Sequence, residues 1–292
     1  MYNLISQIRI IILLAIFILG PAAYARTFQT SDNRFIGYTD IGQGRPIVLI
    51  HAFPTDRRLW ELATQDLEDA LQGSNGLRII SLDLWGFGQS SSANGQAITM
   101  VDYAREVNEL LNHLQIQQAV IGGESMGGYI TLAFLASFPE KVEGLILSNT
   151  QSIADSLEAK ANREATAKDV LEHGTENLIN GFMSKALSPT ASEKTKLFLK
   201  HILERQDKMA IASALRGMAL RPDTSDILTN SPIPILILSG EKDVLISPQQ
   251  SENMHKLAKH SKLVLIPDAG HLASLEQPKQ WMQAVVAMFS YK

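Results

Sequence analysis

The chain alternates short, continuous apolar runs with longer stretches whose apolar residues recur every three or four positions. The short runs predict strands at Arg34–Asp40, Pro46–His51, Leu77–Leu82, Gln118–Gly122, Val142–Leu147, Pro234–Ser239 and Lys262–Ile266. Ile47-Val48-Leu49-Ile50 and Ile235-Leu236-Ile237-Leu238 have no polar member, as expected of strands covered on both faces. Helices are predicted over Arg57–Leu71, Met100–Leu114, Met126–Phe138 and Gln249–His260. In the second of these, Val101, Ala104, Val107, Leu111 and Leu114 form one apolar stripe. Strand alternating with helix predicts an α/β fold built on a mostly parallel, doubly wound sheet.

One interval departs from the alternation. Between about Ala154 and Asp226 only helical patterning occurs, in Ser156–Glu172, Glu176–Ala186, Ser192–Glu204 and Lys208–Leu220. Helices inserted between two strands predict a cap over the carboxyl edge of the sheet, where ligands bind in such folds. The expected division is a core of residues 26–150 and 230–292 with a helical cap at residues 151–229.

The first 25 residues stand apart. Arg9 precedes the apolar run Ile10 to Gly20, Pro21 closes that run, and Ala23-Tyr24-Ala25 offers the small-x-small pattern that a signal peptidase accepts. A membrane-spanning helix needs roughly 20 apolar residues, so this run predicts a cleaved export signal at 1–25 rather than an anchor. The expected product is a periplasmic or secreted protein without a stable membrane anchor.

Composition narrows the chemistry. Of 292 residues, 45% are hydrophobic and 19% charged, an ordinary globular balance. The net charge of −4 leaves no basic footprint for nucleic acid. The absence of cysteine excludes disulfides, thiol nucleophiles and thiolate metal sites.

What remains is hydroxyl chemistry. Gly123-Glu124-Ser125-Met126-Gly127 falls between the apolar run Ala119-Val120-Ile121 and a helical segment. A serine is lifted onto a strained strand-to-helix turn only where its neighbours lack bulk, which Gly123, Gly127 and Gly128 provide. A nucleophilic serine needs a base, and the base an orienting carboxylate. His271 ends the loop Pro267-Asp268-Ala269-Gly270-His271 after a predicted strand, whereas His255 and His260 lie on a charge-rich helical stretch. Asp243 follows the preceding strand, with Glu241 and Asp268 as competitors for the acid. The backbone N–H groups of Met126 and of Phe53, in His51-Ala52-Phe53-Pro54, are candidates for an oxyanion hole, and His51 is expected to order that loop. Leu178, Phe182, Met183, Leu215 and Met218 are candidates to line an apolar pocket under the cap, while Trp60 and Trp85 are read as packing. No metal or organic cofactor is implied.

Taken in order, His51-Ala52-Phe53-Pro54, Asp83-Leu84-Trp85-Gly86-Phe87-Gly88-Gln89-Ser90, Gly123-Glu124-Ser125-Met126-Gly127-Gly128, Gly240-Glu241-Lys242-Asp243 and Asp268-Ala269-Gly270-His271 resemble the α/β-hydrolase superfamily. The resemblance runs from about Arg34 to Phe289. Ser148-Asn149-Thr150 and Arg216-Gly217-Met218-Ala219-Leu220-Arg221-Pro222-Asp223 look most like the branch of 3-oxoadipate enol-lactonases and cofactor-free haloperoxidases and esterases. The resemblance implies a Ser125–Asp243–His271 triad acting on a small-molecule ester or lactone through an acyl-enzyme. Perhydrolysis and carbon–carbon bond hydrolysis reuse the same residues, and a hydrolase fold retained only for binding is the alternative from another class. Dehalogenases and epoxide hydrolases of this superfamily carry an aspartate where this chain has Ser125. Ala52 occupies a position that is usually glycine in the family, and export is unlike the enol-lactonases of aromatic catabolism.

Overall fold

The computed structural model describes residues 25–65 and 76–290. All but the last residue of the expected export signal therefore lie outside the described residues, as does the end of the helix expected at Arg57–Leu71.

Eight strands form one sheet in the order β1-β2-β4-β3-β5-β6-β7-β8. They are β1 (Arg26–Gln29), β2 (Phe35–Gly42), β3 (Arg45–Ile50), β4 (Leu77–Leu82), β5 (Ala119–Glu124), β6 (Val142–Ser148), β7 (Ile235–Gly240) and β8 (Ser261–Ile266). Only the pairings of β2 with β1 and with β4 are antiparallel. Seven strands match the apolar runs within two residues at either end. The eighth, β1, escapes a pattern-based reading because it is four residues long and buries only Phe28.

The polar-free strands have the burial they predict. Ile47 and Leu49 pack into one core and Val48 and Ile50 into the other, so the pleat sends alternate side chains to opposite faces. β7 repeats this, with Leu236 and Leu238 in the core of Ile47 and Leu49, and Ile235 and Ile237 in that of Val48 and Ile50. One face is covered by α2 (Met100–His113), α3 (Met126–Ser137) and α9 (Pro248–Leu257). On the other lie α1 (Glu61–Gln65), α10 (Ala273–Glu276) and α11 (Pro278–Phe289), with the Trp60 and Trp281 rings in contact at 5.2 Å between centres and inclined at 45°. The first turn of α2 is closed by a reciprocal cap: Asp102 donates its N–H to the Thr99 hydroxyl oxygen and accepts the Thr99 N–H on its carboxylate.

Between β6 and β7 the chain builds α4 (Leu157–His173), α5 (Glu176–Ala186), α6 (Glu193–Leu203), α7 (Lys208–Ala219) and the short α8 (Ser225–Asn230). The first four coincide with the expected cap helices; α8, α10 and α11 add to the pattern-based expectation. The residue range expected as a helix from Arg57 begins instead with a 3₁₀ turn, Arg57–Trp60, capped by the Asp56 side chain.

Candidate active site

Five strands place the functional loops. β3, β5, β6, β7 and β8 run parallel, so the chain leaving each emerges at the same sheet edge. Ser125 follows β5, Asn149 follows β6, Asp243 follows the end of β7, and His271 follows β8. The loop of His51 to Pro54 leaves β3 beside them, since Ile50 pairs with Gly123.

Ser125 has φ 56° and ψ −116°, a left-handed conformation that non-glycine residues rarely adopt. The turn is compressed on every side. A Cβ on Gly123 would lie 2.1 Å from the Gly127 carbonyl carbon. One on Gly127 would lie 2.1 Å from the Ile50 carbonyl oxygen, and one on Gly128 would run into the Thr150 side chain. The three glycines therefore let the start of α3 sit directly against the end of β3. Ser125 donates its N–H to the Ser148 carbonyl at 2.9 Å, and the Thr150 hydroxyl donates to the Ser125 carbonyl at 2.8 Å.

The Ser125 hydroxyl lies 2.8 Å from His271 Nε2, and His271 Nδ1 lies 2.9 Å from Asp243 Oδ2. A carboxylate can only accept, so the ring proton sits on Nδ1 and leaves Nε2 free to accept from the serine. Asp243 is held by four donors. His271 and the Asn149 amide donate to Oδ2, and the N–H groups of Leu245 and Ile246 donate to Oδ1. Burial alone would raise its pKa, but these bonds and the imidazole outweigh it and hold the carboxyl below its ordinary value. The competing acids are elsewhere: Asp268 pairs with Lys242 at the surface, and Glu241 is exposed.

On the oxyanion side, Met126 opens α3 and has no carbonyl one turn back within the helix to satisfy its N–H. Phe53 lies in a turn fixed by Thr55, which donates both its N–H and its hydroxyl to the Ala52 carbonyl. His51 is fully buried. Its Nδ1–H donates to the Ala52 carbonyl at 3.0 Å, and its Nε2 accepts the Leu84 N–H at 3.1 Å. Acceptance at Nε2 requires the neutral ring, and burial lowers its pKa accordingly, against the raising effect of the Ala52 bond. His51 thus ties the Phe53 loop to the loop after β4, the ordering role read from its position. Ala52 is itself buried, so its methyl group is accommodated in the packed loop.

Phe182 of α5 approaches His271 edge-on, with 6.4 Å between ring centres. Leu178 and Met183 are partly buried beside the same core. Leu215 and Met218 are buried members of the other core cluster, which fits the reading of these side chains as cap core. α7 buries Ala210–Leu215 and Met218 together. Trp85 is stacked under the Arg34 guanidinium at 3.9 Å, consistent with packing.

Two residues here were not singled out by motif reading. Asn149, with φ 46°, bridges Asp243 and the Gly270 carbonyl. Glu124, the last residue of β5, is wholly buried, and its carboxylate accepts from the Ser274 hydroxyl and N–H and from the Ser148 hydroxyl. Burial raises its pKa to about 7, against the lowering effect of the Ser274 bonds and of His271. Among the described residues no group of three or more His, Asp or Glu side chains is arranged to hold a metal ion.

Residues 45–278 match the family of the α/β-hydrolase fold. A curated relative, the AB hydrolase superfamily protein YisY of Bacillus subtilis, is 29% identical over 282 residues, covering 90% of this chain and 97% of its own. The structure of a thermophilic esterase from Thermogutta terrifontis, with malate bound, superposes with a TM-score of 0.85 at 32% identity, covering 91% of this chain and 97% of that one. The enol-lactonase of Burkholderia xenovorans LB400 shares the fold, with a TM-score of 0.79 at 21% identity over 90% of this chain and 99% of its own.

Proposed function

The chain belongs to the α/β-hydrolase family and is a hydrolase, and from that premise we propose that it cleaves a carboxylic ester or lactone through an acyl-enzyme on Ser125. The observation that carries this reading is the unbroken hydrogen-bonded chain from Ser125 through His271 to Asp243, at 2.8 and 2.9 Å. His271 Nε2 removes the hydroxyl proton as Ser125 attacks the carbonyl carbon. The negative charge that develops on the carbonyl oxygen is taken by the N–H groups of Phe53 and Met126, and Asp243 stabilises the imidazolium. Collapse of the intermediate expels the alcohol, which leaves with the proton from His271. Water, deprotonated by the same nitrogen, then releases the acid. The esterase similarity at 32% identity supports the ester class. A small-molecule substrate fits the family, and the reaction needs no cofactor.

A fluorophosphonate should label Ser125 stoichiometrically and no other serine, and Ser125→Ala should abolish labelling and lower kcat by on the order of 10⁶. Near-wild-type ester hydrolysis by Ser125→Ala would end the proposal. A panel of p-nitrophenyl esters of graded acyl length beside lactones then assigns the substrate class. Labelling without turnover on any ester, lactone or peracid would favour carbon–carbon hydrolysis, and absence of labelling a fold kept for binding. In a structure of the phosphonate adduct, its oxygen should lie within about 3.1 Å of the Phe53 and Met126 nitrogens.

We also propose that residues 1–25 direct export, on the pattern of Arg9, the apolar run and Ala23-Tyr24-Ala25. N-terminal sequencing of the exported protein should read Arg26 first, and recovery of Met1 in a membrane fraction would overturn this.

A further inference from the structure

Glu124 sits in the nucleophile motif at a position whose neighbours on both sides are constrained, yet its own side chain turns into the protein rather than toward solvent. It is the last residue of β5, paired in register with Ser148 of β6. Its Oε2 accepts the Ser274 hydroxyl at 2.6 Å, and its Oε1 accepts the Ser274 N–H at 3.3 Å and the Ser148 hydroxyl at 3.1 Å. The Ser148 hydroxyl is in turn held by the Trp281 indole N–H at 3.0 Å. Ser274 lies three residues beyond His271, in the first turn of α10. One carboxylate therefore spans the strand that ends at the nucleophile and the loop that carries the base.

The donors around Glu124 are neutral. β6 meets it through Ser148, which the Trp281 indole of α11 holds in turn, and α10 meets it through Ser274. The charged group that acts on it is His271. Of the other nearby acids, Asp243 is bonded on the far ring nitrogen of His271, and Glu276 is taken up by the N–H groups of Gly270 and Ser188. A buried carboxylate with hydroxyl donors and no permanent cation is poised to lose its charge, and here the group able to supply a countercharge is the imidazolium that forms during the reaction.

We propose that Glu124 is a positioning residue for His271: it pins the His271 loop to β5 through Ser274, and its ionised form favours the imidazolium that arises when Ser125 gives up its proton. The proposal rests on Ser125 acting as the nucleophile. It gives the site two carboxylates with separate tasks. Asp243 orients the ring by direct contact, and Glu124 adjusts its proton affinity from the other side of the nucleophile turn.

Two ionisations should then shape the rise of activity with pH. One frees His271 Nε2, and the second charges Glu124, whose negative charge favours proton transfer to the imidazole. The value of about 7 for Glu124 places the second step in the neutral range. The rate of fluorophosphonate labelling at Ser125 measures this without knowledge of the natural substrate.

Wild-type protein should label along a broad, two-step limb between pH 5 and 9. Glu124→Gln should label along a single-proton limb displaced to lower pH, because a negative charge near the imidazole has been removed, with a plateau roughly tenfold lower. Ser274→Ala removes a donor to the charged carboxylate, so Glu124 keeps its proton longer and the Glu124 step should move to higher pH. A role in folding alone would scale labelling equally at every pH in both variants, and that result would overturn the proposal. So would a wild-type limb in Glu124→Gln. Failure of the wild-type protein to label at Ser125 would overturn the nucleophile assignment itself, a result distinct from both.

Discussion

Two carboxylates, Asp243 and Glu124, are buried within one site, and their surroundings push them in opposite directions. Asp243 accepts two backbone N–H groups, a side-chain amide and the imidazole, and is held below the ordinary carboxyl range. Glu124 is completely enclosed and accepts mainly hydroxyls, and its pKa rises to about 7. The difference lies in donor type. Backbone amides fixed by a turn cannot rotate away and present permanent positive ends, whereas a hydroxyl can reverse to accept from a protonated acid. Divergent pKa values in neighbouring acids mark a division of labour. One acid stays charged throughout, and the other can change state near neutrality.

The largest test of that division is catalytic. Asp243→Asn should lower kcat by about 10⁴, the loss expected when the imidazole is no longer held in the required tautomer. Glu124→Gln should cost only about tenfold at pH 8, in keeping with an effect exerted through His271. Steady-state kinetics on a reactive ester would decide. Equal losses would dissolve the distinction between an orienting and an adjusting acid. Glu241→Gln and Asp268→Asn should leave kcat within about twofold, as surface substitutions do.

A smaller effect tests how Asp243 is kept charged. Asn149→Ala deletes one of its four donors and should lower kcat/KM about tenfold. The same change places alanine at φ 46°, so the melting temperature should fall as well. Asn149→Gly removes the donor without that strain. A tenfold loss in both variants, with the melting temperature lowered less in the glycine variant, would assign the rate effect to the bond. A rate loss in alanine alone would assign it to the backbone.

The smallest expected effect is on stability. Folded Glu124 holds its proton up to about pH 7, whereas the free side chain loses it near 4.5. Between these values the folded chain binds more protons than the unfolded one, so Glu124 contributes less stability as pH rises through that window. Glutamine has no charge to bury. The melting temperature of Glu124→Gln relative to wild type should therefore climb by about 2 °C or more between pH 5 and 8. Asp243 behaves oppositely: its contribution is present above its unfolded pKa and is lost only as pH falls through its lower folded value. Asp243→Asn should show no such climb in calorimetry over the same range.

The same two residues illustrate what was legible in the chain. The place of Asp243 beside His271 was readable because a strand of pure aliphatic residues runs into its loop and the next strand runs into that of His271. Glu124 was in plain view inside the nucleophile motif, but its meaning depends on Ser274, 150 residues away, and on Trp281 beyond that. Asn149 likewise acts on a partner 94 residues distant. Periodicity reports which face a residue occupies and says nothing of what lies opposite. Long apolar runs made seven strands readable, whereas β1, with one buried side chain, carried too little pattern. Leu215 and Met218 stayed open between two readings for a related reason, since an apolar helix face reads the same whether it lines a pocket or fills a core.

The contact between the inserted helices and the His271 loop bears on how such enzymes are recombined. Glu276 accepts N–H groups from both Gly270 and Ser188, and Leu272 donates its own N–H to the Ala186 carbonyl. A Cβ on Gly270 would come within 2.6 Å of the Ser188 nitrogen. The stretch from Ala186 to Ser188 therefore belongs mechanically to the His271 loop, although it lies within the insertion. Chimeras that exchange the whole insertion for that of a relative should lose turnover through a displaced His271 loop. Chimeras cut on either side of Ala186–Ser188, with Glu276 retained, should keep it, so the practical seam for grafting new specificity runs through the middle of the helical segment and not along its ends.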